Sequence, residues 1–302
     1  MIGVILVNYN NFNLTINCIN SLLISKRIPD IILVVDNAST DDSCLRIRER
    51  FNNIVLISNK YNNGFTGANN QGINYLFEHN VEYVWILNND TVVNNNCLDL
   101  LYKEFLNNKY EEKLLTTKIY YLDRPDSLWY AGAKRSIFTG AVKHHLNDDN
   151  LTNPKEVDFI SGCSMFCSIN LFKKYGYFID KYFAYSEDSE LCWRFKKNGV
   201  KLIYLPTAII FHAVSSSWVD KKNLFNKMNF SKTALFYMVR NHLWTIRLHT
   251  SGFNKIFLIF INFIILIKNI FIFIIGGQIN IARIYIKSFI IGLFTKILDI
   301  KN

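Results

Sequence analysis

Short apolar runs alternate with helix-like segments through residues 1–90. The apolar runs have the length of strands: Ile2–Val7, Ile31–Val35, Ile54–Ile57 and Tyr83–Leu87. The intervening segments carry apolar residues at helical spacing: Leu14–Ile24, Asp41–Phe51 and Gly67–Phe77. Strands that alternate with helices predict an α/β fold with a parallel sheet covered on both faces.

The pattern becomes less regular after residue 93. Residues 120–180 are rich in aromatic residues and turns, which predicts hairpins, and residues 186–198 have a helical pattern. Two short strands are predicted to lead to His212: Lys201–Leu205 and Ala208–Phe211. The predicted organisation is a domain over 1–215, with halves 1–92 and 93–215, followed by a helical region over 216–302.

Each predicted strand of the first half is followed by polar residues. These segments are Asn8-Tyr9-Asn10, Asp36–Asp41, Asn62–Phe65 and Asn88-Asn89-Asp90. Any one of them is compatible with an ordinary turn. The carboxyl ends of parallel strands meet at one edge of the sheet, where ligands bind. Four polar strand ends therefore predict a binding site at that edge.

Two acidic strand-end residues allow more than one interpretation. Asp36, with Ser39, can cap the helix that follows, or it can accept hydrogen bonds from a nucleotide base. Asp90 can be a turn residue, or it can bind Mg²⁺ or Mn²⁺ beside a departing diphosphate. Both alternatives stay open on the residues alone.

The net charge of +10 comes entirely from the last third of the chain. Twelve Lys/Arg and two acidic residues follow His212, so residues 1–212 have no net charge. The same third is the most apolar part of the sequence. A segment that is both basic and apolar predicts an anionic membrane surface as partner, whereas nucleic acid would require a basic and polar segment.

Two apolar segments, 256–275 and 279–298, lie in this basic region. The first is long enough to span a bilayer. On an ideal helix its polar residues fall within an arc of about 140°; they are Asn254, Lys255, Asn262, Lys268 and Asn269. A one-sided arc favours two interfacial helices or a shallow hairpin over a span. The alternative is a helical pair that packs on the catalytic domain or on a second subunit.

The six cysteines show no complete zinc pattern, because the Cys163–Cys167 spacing lacks a second pair. They are typical of reduced thiols in a cytosolic compartment. The apolar start Met1–Val7 has no basic segment before it, unlike a secretory signal peptide. We therefore expect a protein at the cytoplasmic face of the cell membrane.

An ordered set of motifs resembles glycosyltransferase family 2, and more narrowly its rhamnosyltransferase-like bacterial members. The motifs are VNYN, VVDNASTD, NNGFTGANNQG, WILNND, YSEDSELCWR and a histidine after apolar strands. The resemblance covers about residues 1–245. It implies a GT-A fold and an inverting, metal-dependent sugar transfer. The implied partners are a dTDP- or UDP-sugar donor and a glycan or polyprenyl-linked acceptor, with Mg²⁺ or Mn²⁺ as cofactor; a homo-oligomer stays an open alternative.

The resemblance also implies roles for individual residues. The implied donor-binding residues are Asn8, Asp36, Asn69 and Asn88. The implied metal site contains Asp90 and His212, with the uncharged Asn88 at the position of the usual first aspartate of the DxD motif. The implied catalytic residues are Asp188, as the base, and Glu187. The implied acceptor or diphosphate contacts are Trp193, Arg194 and Arg240.

Three other functions are compatible with parts of this sequence pattern. A sugar-phosphate nucleotidylyltransferase needs a glycine-rich basic loop after the first strand, but VNYNNFN contains neither glycine nor a basic residue. A processive polysaccharide synthase needs several membrane spans and a QxxRW-type motif, which the sequence lacks. A non-catalytic, membrane-bound nucleotide-sugar adaptor is the remaining alternative, and the acidic residues and histidine named above argue against it.

Overall fold

The computed structural model describes residues 1–107, 111–145, 152–214 and 231–301. Within these ranges the chain forms a ten-stranded mixed sheet, a separate two-stranded hairpin and a group of C-terminal helices. The sheet runs in the order β10-β12-β6-β11-β4-β1-β2-β3, with β5 paired to β12 and β7 paired to β6; these strands are defined below.

The first half of the sheet is parallel and alternates with helices, as the sequence pattern predicts. Its elements are β1 (Ile2–Asn8), α1 (Phe12–Leu23), β2 (Ile31–Asp36), α2 (Ser43–Arg50), β3 (Val55–Ser58), α3 (Gly64–Glu78) and β4 (Tyr83–Asn88). Helices cover the strands closely: a Cβ added at Gly72 of α3 would lie 2.8 Å from Ile5 Cγ2. This contact explains why a glycine stands inside that helix.

The second half adds antiparallel strands and makes the sheet mixed. Its elements are β5 (Thr91–Val93), α4 (Cys97–Leu106), β6 (Lys113–Tyr121), β7 (Leu128–Tyr130), β8 (Ala133–Arg135), β9 (Val142–His144), β10 (Lys155–Glu156), β11 (Ser164–Ser168), α5 (Asn170–Tyr175), α6 (Glu187–Lys197) and β12 (Lys201–His212). Strand β11 lies antiparallel between β4 and β6 and so joins the two halves.

The two predicted short strands before His212 form one strand, β12. The pairing of β12 with β6 shifts register between Leu205 and Ile209. Pro206 lies in this shift, and proline has no N–H to donate to a ladder. The sequence break is therefore an irregularity inside one strand.

In the described residues after β12 the chain forms four helices: α7 (Lys232–His249), α8 (Gly252–Ile275), α9 (Ile279–Phe294) and α10 (Ile297–Lys301). A small core of Leu243, Leu266 and Phe289 joins α7, α8 and α9. The predicted segment 279–298 is thus two helices, because α9 ends at Phe294. The predicted domain boundary at 215/216 and the basic residues Lys221, Lys222 and Lys227 lie outside the described residues.

Helix α8 is long and apolar enough to cross a bilayer, with a mean hydropathy of 2.7 in an 18-residue window that is 17% buried. Part of its polar arc faces the protein. Asn262 Nδ2 donates to the Thr139 carbonyl at 3.0 Å, and Asn269 Nδ2 donates to the Tyr285 hydroxyl at 2.9 Å. Helix α8 therefore contacts the loop between β8 and β9 through Asn262, and it contacts α9 through Asn269.

Candidate active site

The strand-end network is the group of polar side chains where β1, β2 and β4 end. The register places Asn8 beside Asp36 and Asn88 beside Val7. Asn8 Nδ2 donates to Asp36 Oδ2 at 2.7 Å. The expectation that these strand ends meet at one edge of the sheet is therefore confirmed.

Asp36 is only 1% exposed, and protein donors occupy its carboxylate. The Ser39 N–H donates to Oδ1 at 2.9 Å, and the Ser39 hydroxyl donates to Oδ2 at 2.6 Å. The capping interpretation of Ser39 is wrong, because α2 begins only at Ser43 and Ser39 bonds back to Asp36. The contact of Asp36 with a nucleotide base stays a prediction.

Two residues that sequence reasoning did not single out complete the strand-end network. The Thr15 hydroxyl of α1 donates to Asn8 Oδ1 at 2.7 Å, and Asn89 Nδ2 donates to Thr15 Oγ1 at 2.7 Å. Asn89 lies inside the WILNND motif, so its position carried a signal. Thr15 carried none, because its partners are brought to it only by the packing of α1.

Asn69 and Asn88 differ in how much of each side chain is engaged. Asn69 of α3 is 1% exposed and donates to the Phe65 carbonyl at 2.8 Å, but its Oδ1 has no hydrogen-bond partner among the described residues. Asn88 is half-buried, and its backbone N–H donates to the Cys163 carbonyl at 3.0 Å. Their roles in donor binding stay predictions.

Asp90 and His212, far apart in sequence, meet because β5 pairs with β12. The pairing places Thr91 opposite His212, and the Ala213 N–H donates to the Asp90 carbonyl at 2.8 Å. As a result His212 Nε2 lies 3.0 Å from Asp90 Oδ1. The edge of the Trp129 ring packs against the His212 ring, with centroids 4.7 Å apart.

This pair has the chemistry of a divalent metal site. The 3.0 Å contact between His212 Nε2 and Asp90 Oδ1 is not a hydrogen bond, and Asp90 Oδ1 is buried without a hydrogen-bond partner among the described residues. Neighbouring ligands of an octahedral ion at about 2.1 Å lie about 3 Å apart. The described residues contain no group of three or more His, Cys, Asp or Glu placed for a metal. Water and diphosphate oxygens would complete the coordination of an ion held by this pair.

The catalytic loop, residues 181–186, leads directly into α6 and its two acidic residues. Phe183, Tyr185 and Ser186 have positive φ angles of 65°, 69° and 64°. Non-glycine residues adopt this conformation rarely, and such strain is concentrated at functional sites. The strain identifies the entry to α6 as a segment that the surrounding structure holds in place.

Asp188 and Glu187 are in different environments. The Gly162 N–H donates to Asp188 Oδ2 at 3.1 Å, and the Ser189 N–H donates to Asp188 Oδ1 at 2.7 Å. Glu187 is 7% exposed, and its Oε2 has no hydrogen-bond partner among the described residues. Two backbone N–H groups therefore donate to Asp188, while Glu187 keeps one buried oxygen without a partner among the described residues.

These environments separate the pKa values of the two acids. Asp188 is half-buried in accessible surface, yet desolvation by the protein around it raises its pKa to about 6, against the opposing effect of its hydrogen bonds and of Arg135. Burial, and then the charge of Asp188, raise the pKa of Glu187 well above its ordinary value. At neutral pH Asp188, with a pKa of about 6, is largely ionised. Carboxyls with separated pKa values are suited to different roles.

Arg135, at the end of β8, is a half-buried cation beside α6 that the sequence did not indicate. Its guanidinium donates at 3.0 Å to the Ser189 hydroxyl, the Ser189 carbonyl and the Gly140 carbonyl. It also lies 4.2 Å from the centre of the Trp193 ring. Arg135 thus ties the hairpin to the first turn of α6, next to Asp188.

The predicted acceptor-side residues of α6 make contacts within the protein. Trp193 stacks on His249, with ring centroids 5.5 Å apart. Arg194 forms two hydrogen bonds with Glu190, at 2.9 Å and 2.7 Å. It also donates to the carbonyls of residues 175–177 at 2.6–2.8 Å. Contact of Trp193 and Arg194 with an acceptor or a diphosphate stays a prediction, and the geometry gives both a packing role.

Arg240, on α7, points toward the catalytic loop. Its Nη2 donates to the carbonyls of Lys181, at 2.8 Å, and Tyr182, at 3.3 Å. Its guanidinium lies 4.0 Å from the centre of the Trp244 ring, and burial lowers its pKa to about 10. Its predicted acceptor contact is untested, and its observed partners belong to the loop before α6.

The comparison with known families settles the family of the chain. The family described as "Glycosyl transferase family 2" matches residues 3–176, which is more than half of the sequence. The chain belongs to glycosyl transferase family 2. The matched range contains the strand-end network and Asp90, but it ends before Glu187, so the roles of Asp188, His212 and Arg240 rest on geometry and on the motif resemblance.

Two curated members of related function are similar to this family 2 chain. The low-salt glycan biosynthesis hexosyltransferase Agl10 of Haloferax volcanii is 28% identical over 171 residues, 56% of this chain and 54% of Agl10. The rhamnosyltransferase WbbL of Escherichia coli K12 is 26% identical over 177 residues, 54% of this chain and 65% of WbbL. The chain thus spans less than two thirds of the length of each relative. The predicted likeness to rhamnosyltransferase-like family members is confirmed.

A solved structure supports the fold assignment. The mannosyltransferase PcManGT from Pyrobaculum calidifontis, in complex with GDP-Man and Mn2+, superposes with a TM-score of 0.57. The superposition covers 95% of this chain and 74% of PcManGT at 14% sequence identity. At this identity the likeness concerns the fold alone. The predicted GT-A fold with a mixed sheet is confirmed.

Proposed function

We propose that this protein is an inverting, metal-dependent glycosyltransferase of cell-surface polysaccharide synthesis. It transfers a sugar, such as rhamnose or another hexose, from a nucleotide-diphosphate donor to a glycan or a polyprenyl-linked glycan. Two observations together carry the proposal. Asp90 and His212 lie side by side, and helix α6 begins with an ionisable carboxylate, Asp188. The activities named for Agl10 and WbbL agree with it.

The donor lies, in this proposal, at the strand-end network. Asn8 and Asp36 line the nucleotide pocket, with Asn88 toward the ribose and Asn69 on the neighbouring helix. The open hydrogen-bonding capacity of Asn69 Oδ1 supports this placement. We expect a dTDP- or UDP-sugar as donor, while the GDP-Man bound by PcManGT makes GDP-sugars a necessary part of any screen.

Asp90 and His212 would hold Mg²⁺ or Mn²⁺, which when bound supplies positive charge for the departing diphosphate. Asp90 Oδ1, which is buried without a hydrogen-bond partner among the described residues and lies 3.0 Å from His212 Nε2, supports this assignment. Asp90 carries the only carboxylate of the NND motif. Asn88 would add a neutral oxygen near the ribose.

Asp188 acts as the general base in this mechanism. The acceptor hydroxyl oxygen bonds to the anomeric carbon on the side opposite the departing diphosphate. As this bond forms, a carboxylate oxygen of Asp188 takes the hydroxyl proton. The raised pKa makes Asp188 a stronger base than an exposed aspartate while it stays ionised at neutral pH. Glu187, next to the base and with its pKa raised by burial, positions an acceptor hydroxyl in this proposal.

We further propose that α8 and α9 attach the protein to the cytoplasmic face of the cell membrane. Their outer faces are apolar and exposed; examples are Phe253, Ile256, Phe260, Ile267, Phe271, Ile275, Ile290 and Phe294. Large apolar patches of this kind mark membrane or protein contact sites. A peripheral or shallow attachment is favoured because Asn262 bonds to Thr139 of the catalytic domain and Asn269 bonds to α9, so both amides are turned toward protein groups.

A screen for transfer tests the activity. The full chain is incubated with dTDP-, UDP- and GDP-sugars, with Mn²⁺ or Mg²⁺, and with membrane lipid extract as the source of acceptor. We expect release of the nucleotide diphosphate that rises with the extract and stops in EDTA. Donor binding without hydrolysis or transfer would contradict the enzyme and leave the adaptor function.

Vesicle binding tests the membrane attachment. We expect the full chain to bind anionic vesicles more tightly than neutral ones, and salt to weaken that binding. Phe271→Glu, at a residue that is 65% exposed on α8, should release the protein. Ile24→Glu, at a residue that is 75% exposed at the end of α1, is the matched control and should bind like the wild type.

A further inference from the structure

The catalytic loop is held from α7 by one buried asparagine. Asn241 is fully buried, and its Nδ2 lies within hydrogen-bonding distance of three carbonyls of the loop: Tyr182 at 3.0 Å, Ala184 at 3.0 Å and Tyr185 at 2.6 Å. An asparagine amide has only two N–H bonds, so the three carbonyls share them. These acceptors converge on one nitrogen only when the loop has its left-handed conformation.

Arg240 fixes the orientation of that amide. Arg240 Nε donates to Asn241 Oδ1 at 2.9 Å, so the oxygen faces the guanidinium and the NH₂ group faces the loop. Arg240 also donates to the Lys181 carbonyl at 2.8 Å. The two adjacent residues therefore bind the loop as a unit.

The opposite side of the loop is held by α3. The Thr66 N–H donates to the Phe183 carbonyl of the loop at 3.2 Å, and the Thr66 hydroxyl and the Asn70 amide donate to Asp180, just before the loop. A Cβ added at Gly64 would lie 2.3 Å from the Phe183 carbonyl oxygen, so the helix start and the loop are in direct contact. The loop is thus confined between α3 and α7.

We propose that Asn241 is a positioning residue, which holds the catalytic loop so that α6 presents Asp188 to the acceptor hydroxyl. The inference rests on the proposed function, because it assigns the loop a role in sugar transfer. Strained backbone persists only where its surroundings over-determine it, and Asn241 provides the buried hydrogen bonds that do so. Loss of these bonds lets the residues before Glu187 relax and changes the direction of the first turn of α6.

The test compares Asn241→Ala and Asn241→Asp with Asn269→Ala. The aspartate keeps the shape of the side chain but removes the NH₂ donor, while Asn269 makes a single hydrogen bond between helices α8 and α9. Displacement of a catalytic group by about 1 Å costs about 10²-fold in rate. We expect both Asn241 variants to lose about 10²-fold in kcat, with donor KM within twofold of wild type, and the control to keep its rate.

Two further readouts separate positioning from general destabilisation. The acidic limb of the kcat profile should move to lower pH in the Asn241 variants, because Asp188 becomes more exposed. Hydrogen–deuterium exchange should accelerate in residues 181–188 while β1 and β4 stay protected. Exchange is measured whether or not transfer is found, so a wild type without transferase activity would overturn the proposed function while the hold on the loop is still tested.

Three results would overturn the inference. The first is an Asn241→Asp variant with wild-type kcat and an unshifted pH profile. The second is a parallel loss of donor affinity and kcat, which would show that the whole domain is damaged. The third is unchanged exchange across residues 181–188 in Asn241→Ala, which would show that other contacts hold the loop.

Discussion

The strand-end network and the catalytic loop are held in different ways. At the strand ends hydrogen bonds join Asn8, Thr15, Asp36 and Ser39, although Asn10 and Ala38 in the turns that follow β1 and β2 have positive φ angles. In the loop before α6 three of the six residues have positive φ angles, and Glu187 Oε2 lacks a hydrogen-bond partner within the described chain. In the proposed function, a donor pocket whose side chains are already paired is combined with an acceptor side whose geometry depends on neighbouring helices.

We therefore expect the strand-end network and the catalytic loop to respond differently to mutation. A self-paired polar network loses affinity gradually, because each member has several partners. The loop before α6 sets the position of a single carboxylate, so a change in the loop should lower the rate of transfer steeply. Substitutions at the proposed base and metal site should therefore lower turnover more than a substitution in the strand-end network lowers nucleotide affinity.

Asp188→Asn should lower kcat by about 10² to 10⁴, the usual contribution of a general base. Donor affinity should change little, because the donor lies at the strand ends. Glu187→Gln is the matched control, since glutamine keeps the size and polarity of the side chain at the neighbouring position, and it should reduce kcat much less. Transfer to the true acceptor is the measurement, because donor hydrolysis uses water and bypasses the base. Near wild-type transfer by both variants would remove this helix start from the active site.

Asp90→Asn should lower metal-dependent turnover by about 10³, since a metal ion contributes several kcal/mol of charge stabilisation. The fold should survive, because Asp90 is partly exposed and Ala213 bonds to its backbone carbonyl. The measurement is turnover against Mn²⁺ concentration, with circular dichroism to check the fold. Full wild-type activity in EDTA would exclude the metal.

The pH dependence should follow the raised pKa of Asp188. The base must be ionised, so kcat should rise with pH, reach half its maximum near pH 6 and fall about tenfold per unit below it. Stability has the opposite sign. A folded pKa above the unfolded value of 3.8 contributes stability that is fully present below that value and is lost as pH rises through 6.

The stability arm is measured as Tm between pH 4 and pH 8 in the wild type and in Asp188→Asn. The variant has no carboxyl to titrate at this position, so its Tm should decline less over this range. Identical Tm profiles for the two proteins, together with a kcat midpoint near pH 4, would show that Asp188 behaves as an exposed aspartate.

Asp36→Ala should weaken the binding of a nucleoside diphosphate by about 1–3 kcal/mol, the cost of losing a hydrogen bond to a charged group. Part of this loss should arise through Asn8 and Ser39, which lose their common acceptor. Calorimetry with dTDP, UDP and GDP in the presence of Mn²⁺ is the measurement. Unchanged affinity for each nucleotide would remove Asp36 from the donor site.

Element positions were predictable where the cause is local. Strands β1 to β4 lie within a residue or so of their apolar runs, because strand periodicity is written in neighbouring residues. Helix α3 starts three residues earlier than predicted, because Gly64 adopts a positive φ against Phe183, a contact no local pattern contains. The motif predicts that Arg194 contacts the acceptor, and only the packing of α6 shows that its guanidinium also binds three backbone carbonyls.

The sequence by itself determined the α/β alternation, the polar strand ends, the family motifs and a basic, apolar tail, since each depends on residue type and short spacing. Only the tertiary structure decided which distant groups meet. The β5–β12 pairing joins Asp90 to His212, burial raises the pKa of Asp188, and α7 places Asn241 beneath the catalytic loop. Distances between remote residues and the loss of water around a carboxylate exist only in the packed chain, and they decide where the chemistry lies.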